Sequence, residues 1–270
     1  MADILRQSQA PVSESAWQEM NEAATQIFKA ELTARRILDF SGPHGWECSS
    51  VNLGRLELSK TKSQDGIHWG MRQVQPLLEV RVPFTLNQME LDSINRGVKD
   101  ADLSALEDAA RKVARFEERA VYYGFGRGKI QGLVEASSHK ALKMPADATG
   151  YPKAVSEAID LLAAESIEGP YALVLGAKEL SNLNYSLGGG GFPIRRIMDD
   201  LLGGGVYSSR AVDGAILLSI RGGDLQMITG QDLSIGYCTH DRDTVELYFT
   251  ESFATQIVEP AAVVNLKAKT

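Results

Sequence analysis

Residues 104–124, SALEDAARKVARFEERAVYYG, carry the most persistent helical pattern in the chain. Leu106, Ala110, Val113, Ala120 and Val121 recur at three-and-four spacing, so one face stays apolar for about five turns. Gly124 follows as a natural stop, and Ser104 with Glu107 has the spacing of a capping box. A long amphipathic helix over 104–123 is expected, and the rest of the chain must cover its apolar face.

Toward the N-terminus, Ser13 can cap a helix whose apolar positions Trp17, Met20, Ala24, Ile27, Phe28 and Leu32 share one face, with an expected end near Leu38. SGPHGW (41–46) breaks it. LGRLELS (53–59) and LLEVRVPF (77–84) both alternate, and Leu78, Val80, Val82 and Phe84 fall on one side of the second run. The two runs are expected to form one long hairpin. Its tip, KTKSQDG (60–66), is polar, so the arm has little core of its own and gains by lying on another surface, such as a neighbouring subunit.

Toward the C-terminus the texture becomes α/β: a helix over Ala154–Ala164, the apolar run YALVLG (171–176), a helix, a glycine loop, a helix over Ile194–Leu202, and AILLS (215–219). VELYF (245–249) then alternates as a strand, with Val245, Leu247 and Phe249 pointing one way.

The 270 residues carry a net charge of -7 and are 44% hydrophobic, enough for a substantial core and unfavourable for a surface that condenses on nucleic acid or anionic lipid. No run approaches membrane-spanning length, and the opening MADILRQSQAP lacks a charged segment followed by an apolar one, so a cytoplasmic protein is expected. Cys48 and Cys238 make neither a disulfide framework nor a zinc pattern. The four histidines, His44, His68, His139 and His240, are scattered, and no metal-binding spacing is present.

Two glycine clusters invite a phosphate reading. In SLGGGGFPIRR (186–196), Phe192 and Pro193 stand where a P-loop needs lysine and then serine or threonine, so a tight loop is favoured over a phosphate cradle. In GFGRGK (124–129) the helix stop already explains Gly124. CTHDRD (238–243) brings together a thiol, an imidazole and carboxylates, but Asp and Arg between two strand-like runs are ordinary hairpin-tip residues. No catalytic constellation emerges.

Several stretches, GPHGWE (42–47), VPFTLNQMELD (82–92), FEERAVYYG (116–124), IEGPYALVLG (167–176) and RGGDLQMITGQDLSIGY (221–237), closely resemble the shell proteins of family 1 encapsulin nanocompartments, in order and from Pro11 to beyond Ile257. The resemblance implies an α+β chain with the coat-protein fold of tailed phages of the Hong Kong 97 type. It would comprise an N-terminal arm and helix with the start of a peripheral domain (1–47), an extended loop (48–74), a peripheral domain with the spine helix (75–130), an apical domain (131–221) and a return to the peripheral domain (222–270).

It also implies a non-enzymatic homo-oligomeric shell of on the order of 60 copies or an icosahedral multiple. Such a shell would enclose a cargo, a ferritin-like iron-storage protein or a dye-decolorizing peroxidase, that docks through a terminal targeting peptide. The wall implied for that peptide includes Ile27, Phe28, Arg35, Asp39, Asp232, Leu233 and Ile235. The loop implied for the five-fold pore is Ser186, Leu187, Gly188, Gly189, Gly190 and Gly191, expected to be mobile and to pass small ions and metabolites. Some members hold a flavin against a tryptophan in the segment matching FTLNQMELD. Met89 stands there, which argues against a cofactor. Nucleic acid and membrane are not expected partners. The competing readings are a phage or prophage coat and a peptidase or bacteriocin-like activity using Cys238 and His240.

Overall fold

A computed structural model describes residues 4–59, 66–188 and 191–268. The chain begins with α1 (Glu14–Glu31), α2 (Ala34–Ile37), β1 (Asp39–Ser41), β2 (Ser50–Leu58), β3 (Gly70–Pro76), β4 (Leu78–Asn87), α3 (Gln88–Asn95) and α4 (Ser104–Tyr123). It continues through α5 (Leu133–Ala136), β5 (Leu142–Lys143), α6 (Tyr151–Ala164), β6 (Tyr171–Leu175), α7 (Ala177–Tyr185), α8 (Ile194–Leu202), β7 (Gly203–Ser208) and β8 (Ala215–Ser219). β9 (Leu225–Thr229), β10 (Ser234–His240), β11 (Thr244–Ile257) and β12 (Val263–Lys267) complete it.

Two five-stranded sheets organise these elements. In the first, β11 is the hub: β4 lies along one edge, and β10 and then β9 share the other, with β1 beyond β9. The connection 230–233 between β9 and β10 therefore crosses beside the middle of β11, where Gln231 and Ser252 exchange hydrogen bonds. The second sheet runs β5-β12-β8-β6-β7. Its β8 is buried at every residue and β6 at four of five, because α6 and α8 cover the sheet and no polar alternation is needed. The segment 222–270 is shared between the sheets, β9 to β11 joining the first and β12 the second.

α4 ties the two halves together. Leu106, Ala109, Ala110 and Val113 sit in a core with α1, β4 and β11, while Ala120, Val121 and Tyr122 sit in a second core with α6, β6 and β8. The expected helix is present, ending at Gly124, whose φ of 91° few other residues adopt.

Four local expectations are corrected. The capping box does not form: Leu103 precedes the helix, Ser104 is its first residue, and the Ser104 N–H donates to Asp102 Oδ1 at 3.0 Å. α1, capped at Ser13 as expected, stops at Glu31 and not near Leu38. Glu118, projecting from α4, accepts the backbone N–H groups of Thr33 and Ala34 at 2.8 Å each, so the chain leaves the helix and restarts as α2 on that carboxylate. The run 53–59 pairs with β3 and not with 77–84, because β4 is taken by β11 over ten residue pairs. The helix placed at Ala154 starts at Tyr151, where Pro152 fits the first turn.

The β2–β3 arm stands apart as a two-stranded sheet. Leu56, Leu58, Ile67, Trp69 and Met71 are each more than half exposed on it. Gly54, with φ 68° and its N–H held by Asn52 Oδ1, marks a break in the register between Asn52 and Leu56.

Candidate functional site

Side chains at positions 25, 28, 29 and 32 of α1 and its end fall on one stripe, and α2 and the 230–233 connection face that stripe across a groove. Thr25, Phe28, Lys29, Leu32, Arg35, Arg36, Asp232 and Leu233 line this groove, which has a volume of about 460 Å³. Phe28 is half-buried and set edge-on against Phe249 at 5.5 Å, and Phe249 in turn stacks on Phe84 at 5.1 Å. The apolar wall thus rests on the core of the first sheet.

Of the residues implied for a docking wall, Phe28, Arg35, Asp232 and Leu233 meet in this groove. Ile235 is fully buried beneath it. Ile27 points to the other flank of α1, into a separate depression with Glu31, Glu107, Arg111 and Arg210. Asp39 is turned to the start of β9, where its Oδ2 accepts the Gly223 N–H at 2.6 Å. Thr25, Lys29 and Leu32 were legible as the helical neighbours of Phe28, but Glu117 and Glu251, which form the charged floor, had no signal in a pattern of alternating polar and apolar residues.

That floor is built around one guanidinium. Arg35 donates from Nε and Nη2 to Glu117, from Nη2 to Glu251 Oε2 at 2.9 Å, and from Nη1 to Asp232 Oδ1 at 2.6 Å. Its face lies 5.3 Å from the Phe40 ring. Burial disfavours the Arg35 charge, but the Glu117 hydrogen bond and the surrounding carboxylates outweigh it and raise the pKa above the usual value. Arg36 turns instead over the Tyr207 ring at 5.2 Å. The groove thus offers apolar surface beside fixed cations and one half-exposed carboxylate, the chemistry that recognises a short peptide with apolar and charged residues.

The glycine loop connects α7 to α8. Ser186 Oγ donates to the Asn182 carbonyl, Gly188 N–H donates to the Phe192 carbonyl at 2.8 Å, and Gly191 has φ 81°. Leu187 and Phe192 are exposed. Gly189 and Gly190 lie outside the described residues. At the β10–β11 hairpin tip, His240 Nδ1 is 2.5 Å from Tyr237 Oη, so its described hydrogen bond goes to a phenol and not to the Cys238 thiol. Met89, at the start of α3, is exposed.

Residues 2–254 match the Linocin_M18 family, described as encapsulating protein for peroxidase. The chain is 42% identical to a type 1 encapsulin shell protein of Rhodospirillum rubrum, over 99% of this chain and 97% of the relative. It is 40% identical to one of Rhodococcus erythropolis, over 97% and 98%. Among solved structures, a virus-like particle from Pyrococcus furiosus aligns with a TM-score of 0.65 at 19% identity, over 93% of this chain and 99% of that one. A chain of Mycobacterium phage Bobi aligns with a TM-score of 0.60 at 15% identity, over 89% and 91%. Two sheets bridged by one spine helix, with a projecting two-stranded arm, are thus the phage-capsid fold of the Hong Kong 97 type, and the chain belongs to the type 1 encapsulin shell proteins.

Proposed function

We propose that this chain assembles with copies of itself into a closed icosahedral shell in the cytoplasm, and that the groove beside Phe28 holds the terminal targeting peptide of an enclosed cargo enzyme, a ferritin-like iron-storage protein or a dye-decolorizing peroxidase. The carrying observation is the groove itself, whose Phe28, Leu32 and Leu233 supply apolar wall while Lys29, Arg36 and Asp232 supply charge. The exposed apolar residues of the β2–β3 arm support self-assembly, since a second copy would cover them. The Ser186–Gly191 loop would converge with its copies at a five-fold axis, where glycines leave room for a pore for small ions and metabolites. The shell itself performs no catalysis, its chemistry residing in the cargo. No cofactor is called for, because Met89 offers no aromatic face for a flavin.

Electron microscopy of the chain expressed alone should show hollow polyhedra of uniform size; monomers or small oligomers would refute assembly. Co-expression with a ferritin-like or peroxidase cargo bearing its terminal peptide should load the shell, and Phe28→Asp should reduce the loaded fraction at least about tenfold by placing a charge against the apolar wall. Unchanged loading in intact F28D shells would remove the groove from the docking site.

A further inference from the structure

Two buried carboxylates share one cation beneath the groove. The side chains of Glu117 and Glu251 are fully buried, and Arg35 Nη2 bridges them, 2.5 Å from Glu117 Oε2 and 2.9 Å from Glu251 Oε2. The third carboxylate on the same guanidinium, Asp232, is 41% exposed and belongs to the groove wall. Glu251 Oε1 is buried with no hydrogen-bond partner among the described residues.

Among the described residues no cation other than Arg35 pairs with either carboxylate: Lys29 lines the groove above, and the buried Tyr122, which faces Glu117, is neutral and donates its hydroxyl to Thr33. On α4, Glu118 is a further carboxylate, already accepting from Thr33, Ala34 and Ser209. On β4 the register partner of Glu251 is Val80, and its flanking residues Glu79 and Arg81 are exposed and paired with each other. β1 contributes the Phe40 ring, and Arg36 faces Tyr207. Two buried carboxylates cannot both be charged against one guanidinium without leaving an uncompensated charge in the core; a proton resolves this.

We propose that Glu251, buried with Glu117 against the single cation Arg35, holds a proton and that this proton controls the grip of Arg35 on Asp232, making the Asp232–Leu233 wall of the groove a pH-operated latch. This rests on the groove being the docking site and adds its regulation. With the proton bound, Arg35 balances a single buried charge and extends Nη1 to Asp232, whose Oδ1 also accepts the Leu233 N–H at 2.8 Å. When the proton leaves to solvent, the second buried charge draws the guanidinium inward and Asp232 is released. The Asp232–Leu233 corner then loses its tie to α2 and is held through Gln231 and Ser252. The sign follows from the environment: burial first, and then the charge of Glu117, hold the Glu251 carboxyl well above its ordinary 4.5. The latch therefore holds while the Glu251 proton is bound and opens as pH rises through that elevated value.

Infrared spectra of the assembled wild-type protein, titrated in deuterium oxide, should show the carbonyl stretch of a neutral carboxylic acid at neutral pH that disappears at higher pH. The Glu251→Gln protein should lack it, which separates it from Glu118. Hydrogen exchange of the segment 230–236, corrected for the intrinsic rate, should lose at least about tenfold in protection over the same pH range in wild type and stay constant in E251Q. A wild-type spectrum without the neutral acid at neutral pH, or an equal loss of protection in E251Q, would overturn the latch. Should E251Q not accumulate, E117Q replaces it, because neutralising either member must remove the same band. Neither readout involves cargo, so failure of the latch is distinguishable from failure of the docking reading, which F28D loading tests.

Discussion

Glu118 shows how one buried carboxylate can decide the course of a chain. It accepts two backbone N–H groups that open α2, the hydroxyl of Thr33, and the hydroxyl of Ser209 at 2.7 Å. All of these donors lie in buried surroundings, where an orphaned donor costs about 1–3 kcal/mol. Glu118→Ala should therefore lower stability by at least about 3 kcal/mol, seen as an earlier denaturation midpoint in guanidinium chloride. Glu118→Gln keeps acceptor capacity on one oxygen only and should fall between wild type and alanine. Equal stability of wild type and E118A would mean that α2 is held by its packing alone.

Among the elements, the end of α4 is the tightest junction. A Cβ on Gly132 would lie 2.1 Å from the Gly124 nitrogen and 2.2 Å from the Tyr123 carbonyl carbon, so two backbones cross with no space between them. Gly126, only six residues earlier in the same connection, would place a Cβ in open space. Gly132→Ala should therefore cost at least about 2 kcal/mol through forced backbone displacement, whereas Gly126→Ala should change stability by less than about 0.5 kcal/mol. Thermal unfolding of the matched pair checks this. The basic residues among these glycines suggest phosphate from their composition, but the close crossing and the helix stop account for the glycines at 124 and 132 without any ligand.

At the scale of the whole molecule, the β2–β3 arm carries apolar side chains that no other described part of its own chain covers. Trp69 is 57% exposed and Leu58 67%. If assembly buries them, Trp69→Asp should raise the concentration needed for half-assembly at least about tenfold, equivalent to ~1.4 kcal/mol, while circular dichroism of the subunit stays unchanged. Mass photometry over a dilution series measures the first quantity. Assembly unaffected by W69D would show that the arm is not part of the contact between subunits.

Elements whose signal is local follow from the order of the residues alone. The spacing of Leu106, Ala110, Val113, Ala120 and Val121 specified α4, and the unbroken apolar runs at 171–175 and 215–219 specified buried strands, because helix and strand periodicities are written in neighbouring residues. Whole-chain resemblance supplied the fold class. What depends on distant partners came only with the packed fold: that α1 stops at Glu31 because Glu118 captures the Thr33 and Ala34 N–H groups, that 78–84 pairs with β11 and not with the arm, and that Phe28, Arg35, Asp232 and Leu233 share a groove while Ile27 and Asp39 face elsewhere. Its charged floor was the least legible part. Glu117 and Glu251 look like ordinary solvated residues of a helix and a strand, and only the arrival of Arg35, from 82 and 216 residues away, makes them a buried site. Hydrogen bonds and ion pairs between remote segments depend on where the packed cores place them, and no local pattern encodes that position.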